Sequence, residues 1–179
     1  MRNVTLTQIF EHPYAQKYMK RAGIVHAVST AYHAFHIAKK NGADADSAAK
    51  AALLHDIGHY TWYNNGTWDY DLYKENDIHA IKGAERAHKL LVRLGEEPKK
   101  AKEIALAILL HTDSYLPDHS IVRTPLQEAV AKADEMDEEP GGMHHYRKTN
   151  DEKVLRMLEK LDRMIENEMS DQTIKHSVS

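Results

Sequence analysis

Four histidines and two aspartates carry the chemistry this sequence can be expected to do. Residues 52–60 read ALLHDIGHY, an apolar run that stops on the adjacent pair His55 and Asp56, turns through Gly58 and adds a third polar ring at His59. A carboxylate placed in an apolar surround is expensive unless it is paired or binds a cation. The same conflict recurs along the chain. On the stripe Ile104, Ala107 and Ile108 the next residue is His111, and on the face shared by Leu126 and Val130 the next step of four lands on Asp134. His79 lies one turn before Gly83, whose missing side chain permits a close approach. His26 opens a face continued by Thr30, His33 and Ile37. Taken singly, a histidine on an apolar face reads as a hydrogen-bonded core residue, and a lone aspartate as a cap or an arginine partner. Together, His26, His55, Asp56, His79, His111 and Asp134 come from five helices and all sit on inward faces or helix ends. Four imidazoles and two carboxylates suit one or two divalent ions of the first transition row: Fe, Mn, Co, Ni or Zn. With no cysteine in the chain, such ions can be held only by nitrogen and oxygen, and a disulfide framework is excluded.

The elements that must position these residues are helices. Apolar residues recur at three- and four-residue steps and no segment alternates over a strand's length, so the expected class is all-α, a bundle of about six to seven helices. The first is expected over 7–21, ended by Gly23, and the second over 25–40, closed by Asn41 and Gly42. A third starts at Asp46 as N-cap and runs to His55, apolar on nearly every side and therefore central and buried. Residues 60–75, YTWYNNGTWDYDLYKE, lack helical periodicity and read as a long loop, the kind that usually has a function. Its rings Trp62, Tyr63, Trp68 and Tyr70 follow the His55 and Asp56 pair directly and suit the covering of a substrate entrance. Helices are expected over 76–94, from Pro98 to His111, from Pro125 to just before Pro140, and over 150–169, with a frayed tail after 170. No repeat or linker divides the chain, so 1–179 reads as a single domain with its motif core at about 25–137.

Composition removes several function classes. At 179 residues the chain can bury a real core without staples. A net charge of -3 and a pI near 6.5 give no general basic field for nucleic acid or membrane, although a local basic pocket fits the charge balance. The segment MRNVTLTQIF shows no charged stretch followed by a sustained apolar one, and no stretch approaches the roughly 20 apolar residues of a bilayer span, so a cytoplasmic protein is expected.

The order of the residues resembles the HD-domain superfamily of metal-dependent phosphohydrolases: a His (His26), a His-Asp doublet (His55 and Asp56 in ALLHDIGH) and a distant Asp (Asp134 in AVAKADEMD). His79 in HAIKGAE and His111 in AILLHTDSY resemble those that dinuclear branches use for a second metal. Within them, HAIKGA, then HT, then KADEMDEEP is similar to the bacterial hydrolases that split diadenosine tetraphosphate symmetrically, although no arginine closely follows HT and the lysine often found after the doublet is His59 here. The resemblance implies a hydrolase that uses metal-activated water on a phosphoester or phosphoanhydride of a nucleotide, with Asp56 bridging two ions. His59 is then a candidate for donating a proton or hydrogen bond near the phosphate, or else a loop-packing residue. Lys82 and Arg147 are phosphate-contact candidates by charge and position, and each also reads as a solvated surface charge. His33 and His36 read as core or supporting residues, and His144, His145 and His176 as loop and tail. The implied partner is a phosphorylated small molecule, with a homo-oligomer left open. HD-domain diiron oxygenases use the same set, and a non-catalytic nucleotide-sensing HD module is a further alternative.

Overall fold

The structure is a computed structural model that describes residues 2–60, 63–64, 67–113, 122–138 and 149–177. Among them are nine helices: α1 (Leu6–Glu11), α2 (Pro13–Ala22), α3 (Ile24–Asn41), α4 (Ala45–Leu54), α5 (Tyr70–Asn76), α6 (His79–Leu94), α7 (Pro98–Leu109), α8 (Pro125–Glu138) and α9 (Asp151–Ser177). A minimal antiparallel hairpin pairs β1 (Tyr63–Asn64) with β2 (Thr67–Trp68). The all-α class holds, but the helix count exceeds the six to seven expected. The first expected helix breaks in two at His12, which ends α1 and caps α2 by accepting from Tyr14 N at 3.2 Å, because Pro13 has no N–H to continue a helix. The second extra helix, α5, lies within the stretch read as loop. None of its residues is buried, so it lacks the apolar stripe by which a helix is recognised.

The core is organised around α4, whose ten residues are all buried. It packs against α3, α7 and α8, while α6 lies along α7, and α9 lies across α1 and α3. Leu53, Leu54, Ile104, Ile108 and Val130 are sealed in this interior, each contributing about 1.5–3 kcal/mol relative to exposure. The buried-helix expectation for 46–55 therefore holds, with its start corrected. Asp44 is the N-cap, accepting from Asp46 N and Ser47 N at 3.0 and 3.1 Å. Asp46 is turned inward to Lys50 (2.7 Å), Lys100 (2.7 Å) and Arg2 (2.7 Å).

Lys50, fully buried, also reaches Glu96 at 2.5 Å. Arg2 continues to Asp162 of α9, whose carboxylate accepts from Leu6 N and Thr7 N and so caps α1. This buried network ties the N-terminal segment, α4, α7 and α9 together, with every charge given an opposite partner. The last helix continues to Ser177 instead of ending near 169.

Close backbone approach sets the geometry around the polar cluster. Gly23, at φ 116°, closes α2 and leads directly into α3, placing His26 in the first turn of α3. Gly58 lies so close to α6 that an added Cβ would stand 1.8 Å from the His79 carbonyl oxygen and 2.4 Å from Gly83 N. A Cβ at Gly83 would stand 2.9 Å from the His55 carbonyl oxygen. The chain after α4 thus lies backbone to backbone against the first turns of α6.

Candidate metal centre

Five of the six residues singled out by sequence sit at helix ends, and Asp134 sits inside α8. His26 is in the first turn of α3; His55 and Asp56 immediately follow α4; His79 is the first residue of α6; His111 lies two residues past α7. Thr124 and Gln127 cap α8 reciprocally (2.9 and 3.4 Å), fixing the register that turns Asp134 inward. All six side chains meet. His26 Nε2 and His55 Nε2 are 3.2 Å apart, as are His79 Nε2 and His111 Nε2. Asp134 Oδ1 is 3.0 Å from His26 Nε2 and 3.2 Å from His55 Nε2. Asp56 lies between the two pairs, Oδ2 at 3.4 Å from His55 Nε2 and Oδ1 at 3.8 Å from His79 Nε2.

The other nitrogen of each ring explains why these atoms are so arranged. His26 Nδ1 donates to Asp137 Oδ2 (2.7 Å), His55 Nδ1 to the Ala52 carbonyl (2.6 Å), His111 Nδ1 to the Ile108 carbonyl (2.6 Å) and His79 Nδ1 to Asp77 (2.8 Å). With the proton held at Nδ1, each neutral ring presents a lone pair at Nε2. Two lone pairs at 3.2 Å cannot hydrogen-bond each other, and Asp134 Oδ1 is buried with no hydrogen-bond partner. A cation held by these groups would satisfy all of them at once. That donor set, nitrogen and carboxylate oxygen with outer hydrogen bonds fixing each ring, fits divalent transition metals.

The electrostatics agree. Burial works against ionising Asp56, yet His55 and His59 beside it hold its carboxyl well below the usual range, and Asp134 is likewise lowered against burial by His55 and His26. Burial opposes charge on His55 and His26 as well, but Asp56 and Asp134 outweigh it at His55, and Asp134 chiefly at His26, so both pKa values are raised. A proton and a metal ion compete for the same Nε2 there. Burial and the neighbouring His55 push His111 down to about 4, leaving it neutral and ready to donate.

Three overlapping groups each bring one atom per residue within 4.8 Å: His26, His55 and Asp134; His55, Asp56 and His111; Asp56, His59 and His79. His59 belongs to the last through its Nε2, 3.1 Å from Asp56 Oδ1. Its ring stacks on that of His79 at 4.3 Å with planes 7° apart. Rings stacked face to face with nearly parallel planes aim their lone pairs along parallel planes, so His59 and His79 would not converge on one ion. His59 is better placed as a donor at the rim, where its side chain is 23% exposed.

Other expected residues lie elsewhere. Lys82 is half-buried one turn into α6, its ammonium over the Tyr60 ring at 5.3 Å. Arg147, Trp62, His144 and His145 fall outside the described residues, as do the side chains of Tyr63, Trp68 and His176. Tyr70 is exposed, His36 is exposed, and His33 Nε2 stands 3.9 Å from Asp137.

Sequence reasoning missed Asp77, Asp137, Tyr73 and Arg86. Arg86 lies over the Tyr18 ring at 4.0 Å and donates to the Ile57 carbonyl at 2.5 Å, bracing the turn after the doublet. A faint signal existed for two of them: Asp77 stands two residues before His79, and Asp137 one turn after Asp134.

Comparison with known proteins gives the family. The family model for the HD domain matches residues 23–164. A Bacillus subtilis (strain 168) protein named "Putative phosphohydrolase YueE" is 63% identical over 166 residues, covering 93% of this chain and 94% of the relative. No solved structure matches.

Proposed function

This chain belongs to the HD domain family, a metal-dependent phosphohydrolase by that kinship, and we propose that its substrate is a nucleotide carrying a phosphoester or phosphoanhydride, with His26, His55, Asp56, His79, His111 and Asp134 holding two divalent transition-metal ions. The observation that carries the two-ion reading is the pair of Nε2 to Nε2 approaches at 3.2 Å, each ring fixed through Nδ1, with Asp56 between them and Asp134 Oδ1 unsatisfied. His26, His55 and Asp134 would hold one ion, His79 and His111 the other, and Asp56 has an oxygen facing each pair. Divalent ions so placed supply Lewis acidity toward phosphoryl oxygens and a water of lowered pKa.

The chain's own residues do the rest. Asp137, Ala52, Ile108 and Asp77 keep the four rings in one tautomer and orientation. His59, whose Nε2 faces Asp56 Oδ1 at 3.1 Å, is assigned to hydrogen-bond the phosphate or protonate the leaving oxygen when Asp56 is engaged by the ions. Its stack between Tyr73 (6.0 Å) and His79 (4.3 Å) fixes the direction of that donor. Lys82 and Arg147 are assigned to phosphate contacts. The aromatic segment after the doublet is the proposed platform for a base. A symmetrical dinucleoside polyphosphate is the first substrate to try, on the motif likeness of HAIKGA, HT and KADEMDEEP.

The test is a panel of dinucleoside polyphosphates, nucleoside phosphates and cyclic nucleotides with metal-loaded protein. Turnover of at least one member, lost in Asp56→Ala along with the metal, is the expected result. Asp56→Ala protein that binds as much metal as wild type overturns the ligand assignment. Tight nucleotide binding without turnover under any metal points to the sensor instead.

A further inference from the structure

The two histidine pairs are built alike. Each has one ring anchored on the carbonyl of its own helix end, His55 on Ala52 and His111 on Ile108, and one ring anchored on a carboxylate, His26 on Asp137 and His79 on Asp77. The carboxylates, however, stand in unequal settings. Asp137 belongs to α8 and is fully buried. Asp77 is the C-cap of α5, a helix with no buried residue, and its side chain is 12% exposed. It also accepts from His79 N at 3.0 Å, so one carboxylate sets both the start of α6 and the ring. Tyr73, one turn earlier on α5, hydrogen-bonds Asp77; burial and the Asp77 charge raise its pKa and keep its proton on the hydroxyl. Tyr73 reaches the same histidine by a second route, through the face of His59 stacked on His79.

From this asymmetry we propose that Asp77 is a positioning residue that decides whether the His79 and His111 pair holds its ion, coupling occupancy of that half of the centre to the exposed segment 69–77. The inference rests on the two-ion reading above. Gly58 packs against the His79 backbone and the His59 stack lies on the ring's face, so neither contact fixes which ring nitrogen points into the cluster. Among the described residues Asp77 is the one group hydrogen-bonded to the His79 Nδ1, so without it the ring turns and Nε2 leaves the cluster. His111 and Asp56 alone are then left for the second ion, fewer protein groups than the three that open metal sites usually present. His26, whose Asp137 is locked in the core, keeps its own ion. The outer half of the centre is therefore the exchangeable half, and a ligand that pulls on α5 alters metal occupancy before it touches the inner half.

The experiment compares wild type, Asp77→Ala, Asp77→Asn and Asp137→Ala by metal analysis, Mn²⁺ titration followed by electron paramagnetic resonance, and melting of the metal-free proteins. Wild type should take two equivalents and show a spin-coupled pair. Asp77→Ala should keep the first ion, give the six-line spectrum of isolated Mn²⁺, and bind the second about 10–100-fold more weakly. Asp77→Asn, whose amide oxygen accepts the same Nδ1 hydrogen bond, should recover most of the second ion. A merely structural role predicts instead that Asp77→Ala lowers both ions in step with the melting temperature and that the amide does not rescue; that result overturns the inference. Retention of the coupled pair by Asp77→Ala also overturns it and leaves the two-ion reading standing. Wild type that never exceeds one equivalent overturns both.

Discussion

Replacing Gly58 with alanine perturbs the centre without touching any donor atom. The new Cβ would start 1.8 Å from the His79 carbonyl oxygen, where 3.4 Å is the near edge of ordinary contact, so the two segments must part by about 1.6 Å. His79 is the first residue of α6, and its ring travels with that backbone. Metal–donor distances tolerate errors of about 0.2 Å, and a misplacement of about 1 Å at a reacting centre costs on the order of 10²-fold. Gly58→Ala should therefore lose most of its second ion and reduce kcat/KM about 10²-fold or more. Overpacking should cost about 1–3 kcal/mol, a fall in Tm of about 2–12 °C for a chain of this size. Gly83→Ala is the graded control: its Cβ meets the His55 carbonyl at 2.9 Å and the Ile108 side chain at 3.3 Å, so it needs about 0.5 Å of adjustment and should lose less on every readout. Metal analysis, steady-state kinetics and thermal melting of the two variants decide it. A full metal complement with undiminished turnover in Gly58→Ala would refute the claim that this backbone contact places His79.

Lys50→Met leaves Asp46 and Glu96 buried without their shared cation; it should destabilise by about 3–5 kcal/mol, a loss of about 6–20 °C in Tm, and an unchanged melt would refute the network's role. His59→Ala should keep its metal content while turnover falls about 10²-fold or more; loss of an ion would make His59 a ligand. Apparent metal affinity should depend on pH above the ordinary histidine range. Because the pKa values of His26 and His55 are raised, protons still occupy their Nε2 positions there and are displaced only as pH rises through those values. His111, near 4, is already neutral and adds no dependence in that window. Competition titrations that find flat affinity from about pH 6.5 upward would contradict this.

How much of this was legible in the sequence depends on whether a residue acts through pattern or through tertiary contact. The buried character of α4 follows from its run of alanines and leucines, and the six clustered residues stood out because each interrupts an apolar face where nothing local explains it. Gly83 was readable for the same reason, as a gap beside a histidine. Choosing Asp46 over Asp44 as the cap failed because either aspartate can cap a helix in sequence; only Arg2, Lys50 and Lys100 arriving from elsewhere show that Asp46 turns inward. Helix α5 was missed because its stability does not come from a buried stripe. The roles of Asp77 and Asp137 depend on which way two imidazole rings face, a choice made by packing and not by spacing. Trp62 and Arg147, which are proposed to meet the substrate, lie outside the described residues.

The central claim, that these six side chains hold divalent ions for hydrolysis, is tested most directly by reconstitution. Protein stripped with EDTA and reloaded with Mn²⁺ or Co²⁺ should release phosphate or mononucleotide from at least one member of the nucleotide panel, consume no O₂, and lose activity again on chelation. Activity that returned only with iron and rose in step with O₂ uptake would contradict the account and assign the same six residues to an oxygenase.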